Sequence, residues 1–302
     1  MIQSPTVFIL GAGASVEYGL PLGAGLITEI VDALGETGVL RQALVNAQMS
    51  QADLENFASH LAGADLTSID AFLEKNTQEF VQIGKACIAT MVLFRERDTR
   101  ARVFANSPAD HWLKYLWNLM RAEADVSSFV GNQVSFVTFN YDRLVEHYFD
   151  TVLASAFNLS GPSTRDLRER AIQIVHLHGA IAGRAFGEYT HPLDGTTVRD
   201  IATGIRVIHD PMPTNDPGFE AAYELLKSAS KVCLLGFGYH PENLRRLRLK
   251  SLLENRGTLY GTAVGLGKAE LHVARGRIGM GFRAGGPSEK AEAFLRAHVP
   301  LA

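Results

Sequence analysis

The first glycine turn of the chain is the feature that most constrains its fold. An unbroken apolar run over residues 7–10 is followed at once by Gly11, Ala12 and Gly13. Such a run is typical of a strand that is buried on both faces of a parallel sheet. When a strand turns on glycines into a helix, backbone N–H groups and the positive end of the helix can approach a phosphate closely. One glycine-rich turn is a weak signal, so a tight turn that needs small residues for packing explains this motif equally well.

Two positions argue against an ordinary dehydrogenase. The dinucleotide-binding fingerprint has a third glycine at position 16, where this chain has Val16. The fingerprint also places an acidic residue at the end of the second strand. Asp32 has about the right separation, but it lies within 22–34, where apolar residues recur with helical period. The turn is therefore compatible with phosphate but does not belong to the usual hydride-transfer family.

Composition, charge and cysteine usage exclude several classes of protein. A chain of 302 residues, 46% of them hydrophobic, can bury the core of one large domain. The net charge of −3 gives no general attraction to nucleic acid or to an anionic membrane, so we expect neither as a partner. Cys87 and Cys233 have no partner at metal or redox spacing, which indicates buried free thiols in a reducing cytoplasm. We find neither the pattern of a signal peptide nor a stretch long enough to span a bilayer.

Hydrophobic periodicity predicts helices first and then an alternation of strands and helices. After Gly35 the pattern is helical for about a hundred residues, and we interpret its aromatic stripes as packing. Helix start signals stand at 67–70 and 107–110. Strands are then predicted at 134–139, 172–177, 231–235 and 258–264, and helices at 144–153, 219–229, 241–253 and 288–297. The segment 183–217 is polar and rich in glycine and proline, so we predict a long surface loop there.

This alternation predicts the α/β class, with a Rossmann-like, doubly wound and mainly parallel sheet. We assign residues 1–302 to a single domain in which residues from about 36 to 130 form a helical insert. Ligands bind such sheets at the carboxyl ends of the strands, where the strand order reverses. Polar or glycine-rich segments follow four predicted strands directly, at 11–15, 140–142, 178–179 and 236–239. We therefore expect these four segments to converge on one cleft.

In order and spacing these segments resemble the sirtuin-like family, and most closely its bacterial branch associated with antiphage defence. The matching motifs are Gly-Ala-Gly-Ala-Ser at 11–15 with Gly-Leu-Pro at 19–21, Thr-Phe-Asn-Tyr-Asp at 138–142, His-Gly at 178–179 and Gly-Phe-Gly at 236–238. Sirtuins bind NAD on a Rossmann-like sheet and break the bond between nicotinamide and ribose. The resemblance thus implies that NAD is bound as a substrate.

The resemblance also implies roles for individual residues. Asn140 would contact the nicotinamide ribose and position the attacking group, Asp142 would read the carboxamide, and His178 would act as general base on a ribose hydroxyl or a water. The first turn would hold the pyrophosphate and the late turn would face the adenosine. The residues assigned to NAD binding are Gly11, Ala12, Gly13, Ala14, Ser15, Gly19, Pro21, Gly236, Phe237, Gly238 and Tyr239. Taken alone, His178 is better explained as a strand-end histidine that is bonded to backbone, and Asn140 and Asp142 are explained as a helix cap. The position of all three residues at strand ends favours a functional site.

Three departures from the deacylase pattern favour hydrolysis of NAD over deacylation. With only Cys87 and Cys233, the chain cannot form the four-cysteine zinc module of protein deacylases, so no metal is expected. Leu-Gly-Ala at 22–24 stands where deacylases have an acid, Phe and Arg, and Phe139 stands where they have Gln. The leaving group is a cationic pyridinium while it is bonded to the ribose, so cleavage should pass through an oxocarbenium-like state and needs little acid catalysis.

The sequence therefore predicts a cytoplasmic, zinc-free NAD glycohydrolase that yields nicotinamide and ADP-ribose and acts as an effector of antiphage defence. A lysine deacylase that uses the same NAD site remains as an alternative. A third alternative is a non-catalytic module that senses NAD or ADP-ribose. The resemblance allows a homo-oligomer, and it allows a defence-system partner protein or a phage trigger that holds the activity off until it is needed.

Overall fold

A six-stranded sheet in which all strands are parallel forms the centre of the protein. The computed structural model describes residues 1–35, 38–102, 111–181, 193–208, 210, 213–252, 257–279 and 281–301. The strands are β1 (Thr6–Leu10), β2 (Val134–Thr138), β3 (Ile172–His176), β4 (Lys231–Leu235), β5 (Thr258–Gly261) and β6 (Arg283–Ala284), in the order β3-β2-β1-β4-β5-β6. This is the strand order of the Rossmann fold, so the predicted α/β, doubly wound class is confirmed. β5 is shorter than the predicted strand, and the two-residue β6 is too short to give a pattern in the sequence.

Helices fill every connection of the sheet. Between β1 and β2 the chain forms α1 (Gly23–Gly35), α2 (Val39–Asn46), α3 (Gln51–Gly63), α4 (Ile69–Lys75), α5 (Thr77–Arg102) and α6 (Trp112–Arg121). Between β2 and β4 it forms α7 (Leu144–Phe157), α8 (Gly161–Ala171), α9 (Gly195–Thr203) and α10 (Pro217–Ser228). The remaining helices are α11 (Pro241–Leu247), α12 (Leu249–Leu252), α13 (Lys268–Ile278) and α14 (Ala291–His298).

The register of the sheet brings the ends of four strands to one edge, side by side. Leu10 of β1 pairs with Thr138 of β2 and with Leu235 of β4, and Thr138 pairs with His176 of β3. From β1 the chain builds outward through β2 and β3 on one side, and from β4 it builds outward on the other. The strand order therefore reverses between β1 and β4, which is where such sheets open a ligand crevice.

Three apolar clusters surround this edge of the sheet. Phe8 and Leu10 of β1 point into a cluster on one face, and Val7 and Ile9 point into a cluster on the other. A continuous apolar strand was predicted for this reason, since both faces of β1 are covered. The third cluster joins α1–α5 to α9 and contains three mutually packed phenylalanines, Phe57, Phe72 and Phe80. The aromatic residues of the helical segment are therefore packing residues, as predicted.

The helix starts predicted at 67–70 and 107–110 have different outcomes. The signal at 67–70 does begin a helix, but the N-cap is Ser68, whose hydroxyl accepts from Ala71 N at 3.2 Å. The apolar run that follows is split between α4 and α5, because Asn76 leaves helical geometry. The predicted start at 107–110 lies outside the described residues. The helix that follows it, α6, has His111 as its N-cap, with the ring accepting from Lys114 N at 3.2 Å.

The prediction of an unstructured loop over 183–217 is wrong for part of that segment. Residues 195–203 form α9, which is capped by Asp194 through a 2.8 Å hydrogen bond from Thr197 N. Val198 and Ile201 are almost completely buried against the helical cluster. The helical spacing of these two apolar residues was masked by the glycines, threonines and prolines around them. Residues 182–192, 209, 211 and 212 lie outside the described part of the chain.

The chain does not enter an α-helix directly after the first glycine turn. It forms two short 3-10 turns, Ala12–Ala14 and Val16–Tyr18, and the first α-helix begins only at Gly23. Gly19, at a φ of 91°, ends the second turn. The predicted contribution of an α-helix N-terminus to phosphate binding at this turn is therefore wrong.

The turns after β1 and β4 pack against each other with almost no space between them. Gly11 N donates to Leu235 O at 3.1 Å, and Gly13 N donates to Gly236 O at 3.0 Å. A Cβ atom on Gly236, which has a φ of 56°, would lie 1.9 Å from Ala14 N. A Cβ atom on Gly13 would lie 2.8 Å from Gly236 Cα. The packing explanation of these glycines is therefore correct, because no side chain fits between the two turns.

We predict that Gly236→Ala lowers the free energy of unfolding by more than about 2 kcal/mol, because alanine is strained at positive φ and its methyl group meets backbone. The matched control is Gly238→Ala in the same turn, since a Cβ there meets nothing within 4 Å. Urea denaturation of the two variants and the wild type measures the difference. Equal stabilities for the two variants would contradict the packing of the turns described here.

Candidate functional site

A cleft of about 420 Å³ opens over the aligned strand ends. Residues that follow β1, β2, β3 and β4 line it, together with the segment before and at the start of α4. The three residues predicted to be catalytic, Asn140, Asp142 and His178, all lie in this cleft. Eight of the predicted NAD-binding residues also line it: Gly11, Ala12, Gly13, Ser15, Pro21, Gly236, Phe237 and Gly238. The structure thus brings together the segments that the sequence analysis expected to converge.

A chain of hydrogen bonds joins the amide and the carboxylate of the site to the first turn. Asn140 Nδ2 donates to Gly11 O and to Ser15 Oγ, both at 3.1 Å. Ser15 Oγ in turn donates to Asp142 Oδ2 at 3.1 Å, and Asp142 Oδ1 accepts from Leu144 N at 3.1 Å. Both amide hydrogens of Asn140 are used in this way, which leaves its side-chain oxygen to accept from a ligand.

Burial raises the pKa of Asp142 to about 6, and the nearby Glu96 carboxylate acts in the same direction. Hydrogen bonds from Leu144 N and Ser15 Oγ and the charge of His176 oppose the shift. Asp142 therefore changes its charge close to neutral pH, so it accepts hydrogen bonds as a carboxylate above pH 6 and can donate one below it.

His176, the last residue of β3, supports the backbone of the site. His176 Nδ1 lies 3.1 Å from Asn140 O and His176 Nε2 lies 2.7 Å from Glu146 Oε1. Because a carbonyl oxygen only accepts, Nδ1 carries the hydrogen. Burial opposes the charge on this imidazole, but the Glu146 carboxylate outweighs burial and the pKa of His176 is raised. The pair fixes the backbone of Asn140, and the only sequence signal for it was a histidine at the end of a buried strand.

His178 lies deep in the cleft and is 3% exposed. The edge of its ring meets Phe139, with the two ring centroids 5.1 Å apart. Burial lowers its pKa to about 3, and the positive charges of Arg246 and Arg206 add to this effect. The imidazole is therefore neutral at physiological pH. Its Nε2 atom is buried and has no hydrogen-bond partner within the part of the chain that the structure describes.

The backbone around His178 is held on both sides. Arg206 N donates to His178 O at 2.8 Å, and Arg206 Nη2 donates to Leu177 O at 3.0 Å. The Arg206 guanidinium also pairs with Asp216. Gly179 follows at a φ of 74°, and a Cβ there would lie 2.0 Å from Gly204 O. The His-Gly pair is thus explained by a close backbone approach that only glycine allows.

Three residues predicted to bind NAD do not line the cleft, and the structure gives each a different role. Ala14 is buried, and its carbonyl accepts from Trp112 Nε1 at 2.8 Å. Gly19 is exposed and ends a 3-10 turn. Tyr239 is buried, and its hydroxyl donates to Thr262 O at 2.7 Å. The contacts that the structure shows for these three residues are therefore outside the cleft.

The N–H groups of the first turn are mostly engaged already. That of Gly11 donates to Leu235 O at the end of β4, and that of Gly13 donates to Gly236 O in the turn after it. The N–H groups of Ala14 and Ser15 donate to Gly11 O and Ala12 O. Ala12 is exposed in the cleft, and no backbone oxygen of the described residues accepts from its N–H. The first turn therefore offers fewer backbone N–H groups to a phosphate than the glycine pattern predicts.

A second cleft, of about 330 Å³, also borders the two turns. It shares Gly13, Leu22, Gly236, Phe237 and Gly238 with the first cleft. Its own lining residues are Val16, Glu17, Thr262, Val264, Leu266, Lys290 and Ala291. Three large apolar residues on its rim are unusually exposed: Val16 at 42%, Leu22 at 50% and Val264 at 55%. This apolar compartment was not predicted, because its walls come from distant segments of the chain.

Within the ranges that the structure describes, no group of three or more His, Cys, Asp or Glu side chains could hold a metal ion. In the same ranges, no helix has the length and apolar character needed to cross a membrane.

No protein-family model matches the chain, and no curated protein matches its sequence. The function therefore has to be argued from the geometry of the two clefts.

We predict that Asp142→Asn changes the free energy of unfolding more favourably at pH 7.5 than at pH 4.5. The difference between the two pH values should be about 1–3 kcal/mol. The wild-type carboxyl has a raised pKa, so the native state binds its proton before the unfolded state does. Wild-type stability from this group is therefore lost as the pH rises from about 4 through 6, and asparagine removes that loss. Urea denaturation at the two pH values measures the effect. A difference in stability that does not change with pH would show that Asp142 is not buried as a charge.

Proposed function

We propose that the protein is a sirtuin-like, zinc-free NAD glycohydrolase that cleaves NAD into nicotinamide and ADP-ribose. The observation that supports this proposal best is the pair of clefts that share two glycine turns at the switch point of the sheet. One cleft carries an amide, a carboxylate and an imidazole, and the other has an apolar rim. Two unlike compartments joined across glycine turns suit a dinucleotide, whose two halves differ in polarity in the same way.

In this proposal the nicotinamide and its ribose occupy the first cleft, and the adenine occupies the second. The diphosphate crosses between them beside Gly13, Gly236 and Gly238, which line both clefts and carry no side chain. The exposed Val16, Leu22 and Val264 cover the faces of the adenine, which explains why these apolar side chains are left at the surface.

The polar residues of the first cleft fit the cleavage of a nicotinamide–ribose bond. The free oxygen of Asn140 accepts from a ribose hydroxyl, and the Asp142 carboxylate accepts from the carboxamide N–H. The bond between the anomeric carbon and the pyridinium nitrogen breaks, and its electron pair neutralises the ring. Because nicotinamide leaves as a neutral molecule, no group has to protonate it. The two carboxyl groups that line the cleft among the described residues, Asp142 and Asp70, are therefore not needed as acids for the leaving group.

A histidine with a low pKa is sufficient for the final proton transfer. Water adds to the anomeric carbon and forms an oxonium, which is far more acidic than an imidazolium whose pKa is about 3. His178 takes this proton after the carbon–oxygen bond has formed and passes it to solvent. Products and proton then balance: NAD and water give nicotinamide, ADP-ribose and one proton.

The proposed activity consumes a cofactor of the cell that makes it. We therefore include in the proposal a cytoplasmic role as an effector of antiphage defence, held off until a phage trigger or a partner protein releases it. A homo-oligomer fits such control. This part of the proposal is supported by the resemblance of the motifs at 11–15, 138–142 and 178–179.

Incubation with NAD followed by chromatography tests the proposal. We expect nicotinamide and ADP-ribose in equal amounts from the wild type, and a loss of about 100-fold or more in rate for Asn140→Ala and for His178→Ala. The control is Arg245→Ala, an exposed residue of α11 whose ion pair with Glu242 is at the surface, which should retain the wild-type rate.

The same assay separates the alternatives. Turnover only after addition of an acylated peptide, with an acyl-ADP-ribose product, indicates a deacylase. Thermal stabilisation by NAD without release of nicotinamide, even with the product of a neighbouring gene present, indicates a sensor. Either result contradicts the hydrolase proposal.

A further inference from the structure

Asn243, a residue of α11 that has no predicted role, lines the first cleft. It is 9% exposed, and its Oδ1 atom is buried without a hydrogen-bond partner in the part of the chain that the structure describes. An unsatisfied buried acceptor lowers the stability of the folded protein, because its hydration is lost and not replaced. A buried polar group without a partner in a native structure therefore needs an explanation. The usual explanation is a water or a ligand that supplies the missing hydrogen-bond donor.

The same cleft contains a second buried polar atom of this kind, His178 Nε2. The two atoms come from different elements, since His178 follows β3 and Asn243 lies on the helix that follows β4. Aromatic rings line the same cleft beside the histidine: Phe139 contacts His178 with centroids 5.1 Å apart, and Phe237 contacts Phe139 with centroids 5.4 Å apart. Two unsatisfied buried polar atoms that line one cleft beside aromatic rings indicate a small polar guest.

We infer that Asn243 is a positioning residue whose Oδ1, together with His178 Nε2, accepts the two hydrogens of the water that attacks NAD. This inference rests on the proposed function and adds to it the site of the nucleophile. A buried water needs at least two polar partners, and these two groups provide them. The inference uses the His178 tautomer that carries its hydrogen on Nδ1, in which both partners are acceptors, so that both O–H bonds of the water point at the protein.

A water held by two acceptors presents a lone pair in the remaining direction, toward the ligand. The lone pair forms the bond to the anomeric carbon while the bond from that carbon to nicotinamide breaks, and the electrons of the breaking bond remain on the pyridine nitrogen. One hydrogen of the water then passes to His178. Asn243 exchanges no proton, so its contribution is the orientation of the water before and during attack.

The test compares Asn243→Leu, which removes the acceptor at similar size, with Asn243→Asp, which keeps an acceptor oxygen. For Asn243→Leu we expect kcat to fall at least tenfold and KM to stay within about twofold, because the interaction acts on the attacking water and not on NAD. Asn243→Asp should retain more of the wild-type kcat than Asn243→Leu. The control is Arg245→Ala on the same helix, which should match the wild type.

A second measurement separates this role from a structural one. Removal of an unsatisfied buried acceptor should leave the urea midpoint of ligand-free Asn243→Leu equal to or above that of the wild type. A lower midpoint together with the loss of kcat would assign Asn243 to the fold and overturn the inference. A raised KM with unchanged kcat would place it on the substrate and also overturn it.

The outcome for the wild type keeps the two proposals distinguishable. If the wild type cleaves NAD and Asn243→Leu does so at the same rate, the inference is wrong and the proposed function stands. If the wild type neither binds nor cleaves NAD, the proposed function is wrong and the water site falls with it.

Discussion

The contact between the turns after β1 and β4 is the constraint on which the rest of the structure depends. Gly236 lies directly against Gly13 and Ala14, and the backbone hydrogen bonds between the turns allow no side chain at their contact. This contact holds the ends of the two central strands level at the point where the strand order reverses. It also forms the shared wall of both clefts, so the position of a ligand in either one is set by the same few backbone atoms.

The site above this contact is built from polar groups that are costly to bury. Glu96 is fully buried and is satisfied by Arg143, which donates to it from N at 2.9 Å and from Nη2 at 2.6 Å. The raised pKa of Asp142 and the unpaired nitrogen of His178 show that other groups are not fully compensated. Proteins retain such costs mainly at functional sites, where a preorganised polar environment is needed before the ligand arrives. The uncompensated polar groups therefore mark the cleft as the candidate functional site.

Features of the structure that local sequence pattern determines could be predicted, and features that contacts between distant segments determine could not. Strands such as β1 and β4 are continuous apolar runs, so local pattern was sufficient, and the rule that parallel strands end at one edge placed Asn140, Asp142 and His178 together. α9 was missed because polar residues conceal its apolar spacing. Asn243 was missed because a polar residue two positions after Pro241 looks like the surface of a helix, and only the tertiary structure shows that it is buried. The second cleft was missed because no local pattern joins the distant segments of its wall.

A crystal structure of the protein with ADP-ribose tests the central claim most directly, because that ligand spans both clefts if the claim is right. We predict that the adenine lies beside Val16 and Val264, that the diphosphate crosses the two glycine turns, and that the terminal ribose meets Asn140 and His178. An ADP-ribose confined to one cleft, or a terminal ribose that contacts neither of these two side chains, would contradict the account.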